Sequence, residues 1–285
     1  MKTRHKNIDL NQLTLIAPIN DGESKVIVKI AKRRGLDLRV SPQPWGATLD
    51  KEPARTFKKL KKYVAIVEIP HPPSEARLRK LGHRLIIIDH HKYADGLGRY
   101  QRVSSLEQFA KLIRHKLNRF EKGMAINDRA WIYGLLDAGY KPKEVKAIRE
   151  YDLAAQGLDK REKSFLEKIA QNAIEIASDV FVCPIPHKVN LSYVRDRLAL
   201  QDTTKVISSL LVIRNGHKLI RLVFTGRPEL AKKLEKTFGG SLAGDARYSM
   251  VWTTTENIVQ KVKKFLGKSR RRAKIKTPRG GRIAN

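Results

Sequence analysis

Cysteine is nearly missing from this sequence: Cys183 is the one thiol in 285 residues, and methionine is scarce at three. A single thiol excludes an intrachain disulfide framework and any zinc site built on several cysteines. The simplest role for Cys183 is that of a small buried apolar residue. No run of about 18 apolar residues is present, the length a helix needs to span a bilayer, and no signal-peptide pattern follows Met1. The expectation is a soluble cytoplasmic protein that uses no membrane. No repeat with a period of about 20 to 50 residues stands out, which sets solenoids and propellers aside.

Acids are scarce too. Only 28 Asp and Glu stand against 59 Lys and Arg, a formal net charge of +31. A surface this cationic calls for a polyanion, and with membrane set aside the partner expected is nucleic acid. Hydrophobic residues still make up 41% of the chain, too many for a disordered basic tail, so the charge decorates a fold. At this length two domains are expected rather than one.

The first half alternates short β-branched runs with amphipathic stretches, the pattern of a parallel sheet covered by helices. Strands are expected at 13–17, 36–40, 63–67 and 85–88, and helices at 25–34, 54–62, 104–122, 127–138, 143–151 and 160–177. Arg55, Lys58, Lys59, Lys61 and Lys62 read either as a solvated helix face or as part of the binding footprint. Polar residues close the apolar runs: Asp21 after the first, then Glu68, then Asp89-His90-His91. Strand ends of a parallel sheet share one edge, and ligands bind there. The second half turns β-rich, with runs at 206–214 and 217–224 flanking Asn215-Gly216, a dipeptide suited to a two-residue type I′ hairpin. Helices at 228–238 and 256–266 complete a mixed sheet. Of the three tryptophans, Trp45, Trp131 and Trp252, none is singled out as a base reader, and Trp131 on a half-apolar helix suits a core position. The expected organisation is a domain over 1–155, a bridging helix over 156–180, a second domain over 181–266 and a basic tail over 267–285. The stretch 260–282 holds eleven cations and no acid, namely Lys261, Lys263, Lys264, Lys268, Arg270, Arg271, Arg272, Lys274, Lys276, Arg279 and Arg282. Such an extension orders against a phosphate backbone.

Asp89-His90-His91, directly after an apolar strand, resembles the signature of the DHH phosphoesterases, and the likeness continues along most of the chain. Ile19-Asn20-Asp21-Gly22 is similar to the family's opening Asp-x-Asp-Gly loop, and Glu68 stands where the family has an Asp. Ile132-Tyr133-Gly134-Leu135-Leu136-Asp137 looks like the later glycine-containing motif that ends in Asp. Thr225-Gly226-Arg227 and the stretch from Phe238 through Gly239 and Gly240 to Gly244 resemble the substrate-contacting motifs of a DHHA1-type second domain. The resemblance implies an α/β fold, with a parallel-sheet DHH-like N-terminal domain, a smaller mixed α/β DHHA1-like C-terminal domain and the basic tail. It also implies a two-metal hydrolytic centre of hard carboxylates and imidazoles. The chain departs from that pattern. Ile19 replaces the first Asp, no His precedes it, and the glycine-rich loop lacks its following His. Asp21, Glu68, His90 and Asp137 keep one ion's set, with Asp89 and His91 beside them, while the partner ion's set is largely gone.

The expectation is therefore a divergent member with an incomplete centre: a non-catalytic RNA-binding protein that requires no cofactor and holds at most one divalent ion, manganese or magnesium. Its partner would be structured RNA, ribosomal RNA or a ribosomal subunit, bound by an assembly or hibernation-type factor, and a homodimer is compatible with the sequence. RNA contacts are assigned to Arg227, Gly239, Gly240 and the eleven cations of 260–282. The alternative is a manganese-dependent phosphodiesterase or exonuclease acting on RNA or single-stranded DNA, with Arg227, Gly239 and Gly240 holding the strand end.

Overall fold

Parallel pairing governs the first of two compact units, Met1–Asp159, and mixed pairing the second, Lys160–Asn285. The computed structural model describes residues 8–91, 99, 101–186 and 189–273, leaving aside the side chains of 269–273. Lys274, Lys276, Arg279 and Arg282 lie outside the described residues.

The elements of the first unit are β1 (Leu13–Ala17), α1 (Gly22–Arg33), β2 (Asp37–Val40), β3 (Tyr63–Val67), α2 (Pro72–Lys80), β4 (Arg84–Ile88), α3 (Ser105–Leu112), α4 (Arg119–Asp137) and α5 (Pro142–Ala155). The four strands form one parallel sheet in the order β2-β1-β3-β4. β1 is buried at all five positions, as a strand covered on both faces must be. Ile16, Val64, Ile66 and Leu78 pack with Leu49 and Ile69 in a core beneath it. α1 starts where Asp21 caps it, the carboxylate accepting from Ser24 N at 2.8 Å while the Ser24 hydroxyl accepts from Asp21 N, and Lys32 and Arg33 suit its negative end.

Three expected helices differ. The stretch 54–62 holds only a 3-10 turn, Ala54–Phe57. Lysines at 58, 59, 61 and 62 would repel at helical spacings, and Lys59 turns left-handed at φ 52°. The helix expected over 104–122 stops at Leu112, Arg114 breaks it at φ 54°, and Asn118 with Glu121 caps a new helix that runs through 127. The helix from Lys160 ends at Gln171, because the alternating Ile174 and Ile176 belong to an edge strand.

The second unit contains α6 (Lys160–Gln171), β5 (Ile174–Ala177), β6 (Val180–Pro186), α7 (Leu191–Ala199), β7 (Ser208–Asn215), β8 (Lys218–Gly226), α8 (Pro228–Phe238), β9 (Ser241–Asp245), β10 (Ser249–Thr254) and α9 (Val259–Ala273). Its sheet runs β5-β6-β7-β8-β10-β9, parallel at β6–β7 and antiparallel elsewhere. The β7–β8 hairpin closes one residue later than expected. Asn215 pairs with Lys218, so Gly216 at φ 57° is the first of two loop residues, the position where a type II′ turn takes glycine. A bulge opposite Ile213 and Arg214 absorbs the shift. α9 runs past residue 266, so Lys268, Arg270, Arg271 and Arg272 lie on a helix rather than in an extension. Its Val262 and Leu266 are anchored in a core with Phe224, Leu234 and Trp252.

Trp252 is fully buried, and its indole donates to Gly239 O at 2.7 Å. Trp252→Ala is expected to cost about 3–5 kcal/mol in chemical denaturation. Trp45→Ala, at a site 79% exposed, is expected to change stability by less than about 0.5 kcal/mol.

Candidate metal centre

Because the strands are parallel, β3 and β4 deliver Glu68 and Asp89-His90-His91 to one edge of the sheet, and β1 delivers the start of α1 to the same edge. The backbone bends hard there: Glu68 sits at φ 50°, left-handed for a non-glycine residue, while its N–H donates to Ile88 O at 3.0 Å. That turn aims its carboxylate inward. Ser105 Oγ donates to Glu68 Oε1 at 2.7 Å. His90 Nε2 lies 3.3 Å from the same oxygen and 2.6 Å from Asp128 Oδ2.

Glu23 and Asp128 complete the group. Ligand atoms of Glu23, Glu68, His90 and Asp128 all fall within 4.8 Å of one another. Leu106 N donates to Glu23 Oε1 at 3.0 Å, which pins that carboxylate. Its other oxygen, Oε2, is buried without a hydrogen bond, as are His90 Nε2 and Asp128 Oδ2. Two carboxylate oxygens and an imidazole nitrogen, all buried, lie in this group without the angles of hydrogen bonds. Buried polar atoms in that state want a partner, and a cation at their common focus would serve all of them. Three carboxylates with one imidazole make a hard oxygen and nitrogen set suited to manganese or magnesium, so the residues fit a single divalent ion. Glu68 and His90 also group with His91, whose Nδ1 is 3.9 Å from Glu68 Oε1.

The sequence-based candidates take different places. Glu68, His90 and His91 meet. Asp89 stands behind them: its buried carboxylate accepts from His91 N at 2.9 Å and from Nδ1 at 3.1 Å, orienting that ring. Asp21 spends Oδ1 on the α1 cap, beside the cluster rather than in it. Asp137 is exposed at the last residue of α4 and is not among the converging ligands, because Asp128, nine residues earlier, faces inward instead. α4 is broken between them, with Trp131 at φ 54° and ψ −153°.

Glu23 and Asp128 escaped the sequence reading. Each had a signal. Glu23 is an acid in the first turn of a helix whose exposed positions are all basic, and Asp128 keeps step with the apolar residues Ala125, Ile132 and Leu135. Gly22 holds the corner: its N–H donates to Asp152 Oδ1 at 2.8 Å, and a Cβ there would meet Met124 Cε at 2.3 Å.

In the second unit Arg227 donates through Nη2 to Ser178 O at 3.2 Å, and its own N–H donates to Ser208 Oγ at 3.1 Å. Gly239 and Gly240 form the exposed turn into β9, where a Cβ on Gly240 would lie 2.4 Å from Thr253 O. Lys261, Lys264 and Lys268 are exposed on α9, and Lys263 is half-buried.

Electrostatics follow from the crowding. Burial disfavours the charged imidazole, but Asp128 and then Glu68 outweigh it and push His90 up to about 11. Burial, Asp128 and Glu68 hold Glu23 well above the carboxylate range. The same three causes push Asp21 up to about 7. The crowded acids therefore raise the proton affinity of the cluster. A ligating imidazole must be neutral and a ligating carboxyl ionised, so binding must expel protons and weaken as pH falls. Calorimetry with manganese in buffers of different ionisation enthalpy is expected to show one ion bound with proton release. Glu23→Gln and Asp128→Asn are each expected to weaken it at least about tenfold, and Asp137→Asn to leave it unchanged.

No family model matches the chain, and no curated protein matches it. Twenty solved chains are similar in fold. Exonuclease RecJ bound to manganese is 13% identical, with 91% of this chain and 90% of that chain covered at a TM-score of 0.40. The pGpG-specific phosphodiesterase PggH from Vibrio cholerae is 11% identical, with 91% and 99% covered at 0.44. CDC45 from Entamoeba histolytica is 10% identical, with 90% and 95% covered at 0.34.

Proposed function

We propose that this protein binds nucleic acid, RNA first, and that its first unit holds one divalent ion at the edge of the parallel sheet. The observation that carries the reading is a contrast of charge. The first unit has 32 Lys and Arg against 18 acids and the second 27 against 10, yet three of those few acids converge on one imidazole. A cation held by acids in a strongly basic unit suits a phosphate oxygen. Ribosomal RNA is the abundant intracellular polyanion we name as partner, and the basic face of α9 with the residues after it supports that choice.

A second reading, phosphodiester hydrolysis, is favoured by the pairing of Asp89 with His91. A bound divalent ion would supply Lewis-acid charge to a phosphoryl oxygen. The chain's own part is proton transfer. Asp89 raises the affinity of His91 for its proton by hydrogen bonding to Nδ1, and we assign Nε2 of this ring, 41% exposed, to carry the proton given to a departing oxygen.

Two measurements separate the readings. RNA binding should weaken steeply as salt rises, because each neutralised phosphate releases counterions. A protein that does not retain RNA at low salt would remove the proposal. With manganese and short oligonucleotides, measurable cleavage lost in His91→Ala and reduced in Asp89→Asn would establish hydrolysis. No turnover across manganese, magnesium and zinc would leave binding as the function.

A further inference from the structure

α1 is buried on every side but one. Its exposed residues are Lys25, Lys29, Lys32 and Arg33, all cations. Spacings of four, seven and eight residues put them in one stripe roughly 12 Å long. The helix carries Glu23 in its first turn, so the stripe begins two residues on from the acidic cluster, on the helix's other face.

Two rings flank this stripe. Phe120 of α4 and Tyr151 of α5 meet edge to face, centroids 5.2 Å apart at 83°. Lys25 Nζ stands 5.6 Å from the centroid of the Tyr151 ring. A small groove beside them, floored by Val26, is lined by Lys29, Arg33, Asn118, Phe120, Tyr151 and the acid Glu121, whose charge Arg33 meets. Phe120 has no polar atom, yet it is 38% exposed. Arg33 is committed in part, since its Nη2 lies 2.8 Å from Glu121 Oε1. The lysines are the principal cations of the stripe.

An exposed ring, Phe120, and a half-buried one, Tyr151, set beside lysines suit one chemistry. Unpaired bases offer flat faces to aromatic side chains while their phosphates meet cations, and a duplex hides those faces. We infer that this face of the first unit is a track for single-stranded nucleic acid, with Phe120 and Tyr151 stacking on bases and Lys25, Lys29 and Lys32 meeting phosphates. This rests on the nucleic-acid reading above and deepens it by naming the form bound and the place.

Anisotropy of a labelled uridine oligonucleotide and of a duplex of equal length tests it. The pair Phe120→Leu and Tyr151→Leu is expected to weaken the single strand by about tenfold or more while sparing the duplex. Replacing the three lysines by glutamine is expected to lower the salt slope on the single strand by about two. An aromatic pair variant that binds the single strand like wild type, or loses both forms equally, overturns the track. So does polyglutamate competing as well as the oligonucleotide, which would mark charge alone. Photocrosslinking of wild type with a 5-iodouridine oligonucleotide needs no variant: adducts on Phe120 or Tyr151 support the track, and adducts confined to the second unit overturn it. Wild type that binds neither form removes the broader reading as well, whereas wild type that binds beside unaltered variants removes the track alone.

Discussion

Like charge held together out of water is the constraint on which this molecule turns. At an effective dielectric near 20, unit charges about 4 Å apart interact by roughly 4 kcal/mol, so three carboxylates gathered at one point require positive charge among them. Glu23, Glu68 and Asp128 have His90 at their centre. Protons on His90 and Glu23 relieve the crowding, as their raised affinities show, and a divalent ion would relieve it with more charge at one point. The fold accepts the arrangement because its surroundings fix each group. Ser105 holds Glu68, the Leu106 amide holds Glu23, Asp89 orients His91, and Asp152 ties the start of α1 to α5. A strained Glu68 backbone and a broken α4 accompany that precision.

The rest of the chain presents the opposite sign. Basic residues dominate both units, and on α1 they occupy every exposed position of the very helix that brings Glu23 inward. One element thus offers an acid to the interior and lysines to solvent. This division leaves positive charge facing solvent and an acidic cluster suited to a small cation within.

Much of the first unit could be read from the sequence, because parallel strands buried on both faces appear as unbroken apolar runs. β1, β3 and β4 lie where their runs predicted, and the polar residues closing them meet at one edge. The second ring of ligands was harder. Asp128 sits inside a helix with no motif around it, and the eye goes to Asp137 beyond Gly134, although a break at Trp131 leaves Asp137 outside. Edge strands such as β5 and β9 are only four and five residues long, so their pairing partners define them more than their residues do. The hairpin loop lies one residue later than its dipeptide suggested, and Ile220 of β8 is the extra residue where the register shifts. In each case tertiary packing, not local preference, decided.

Anomalous diffraction at the manganese edge, from crystals grown with that ion, examines the centre most directly. One peak coordinated by Glu23, Glu68, His90 and Asp128 is the result this account requires. A site that stays dark at saturating manganese, or an ion held instead through Asp137, would contradict it.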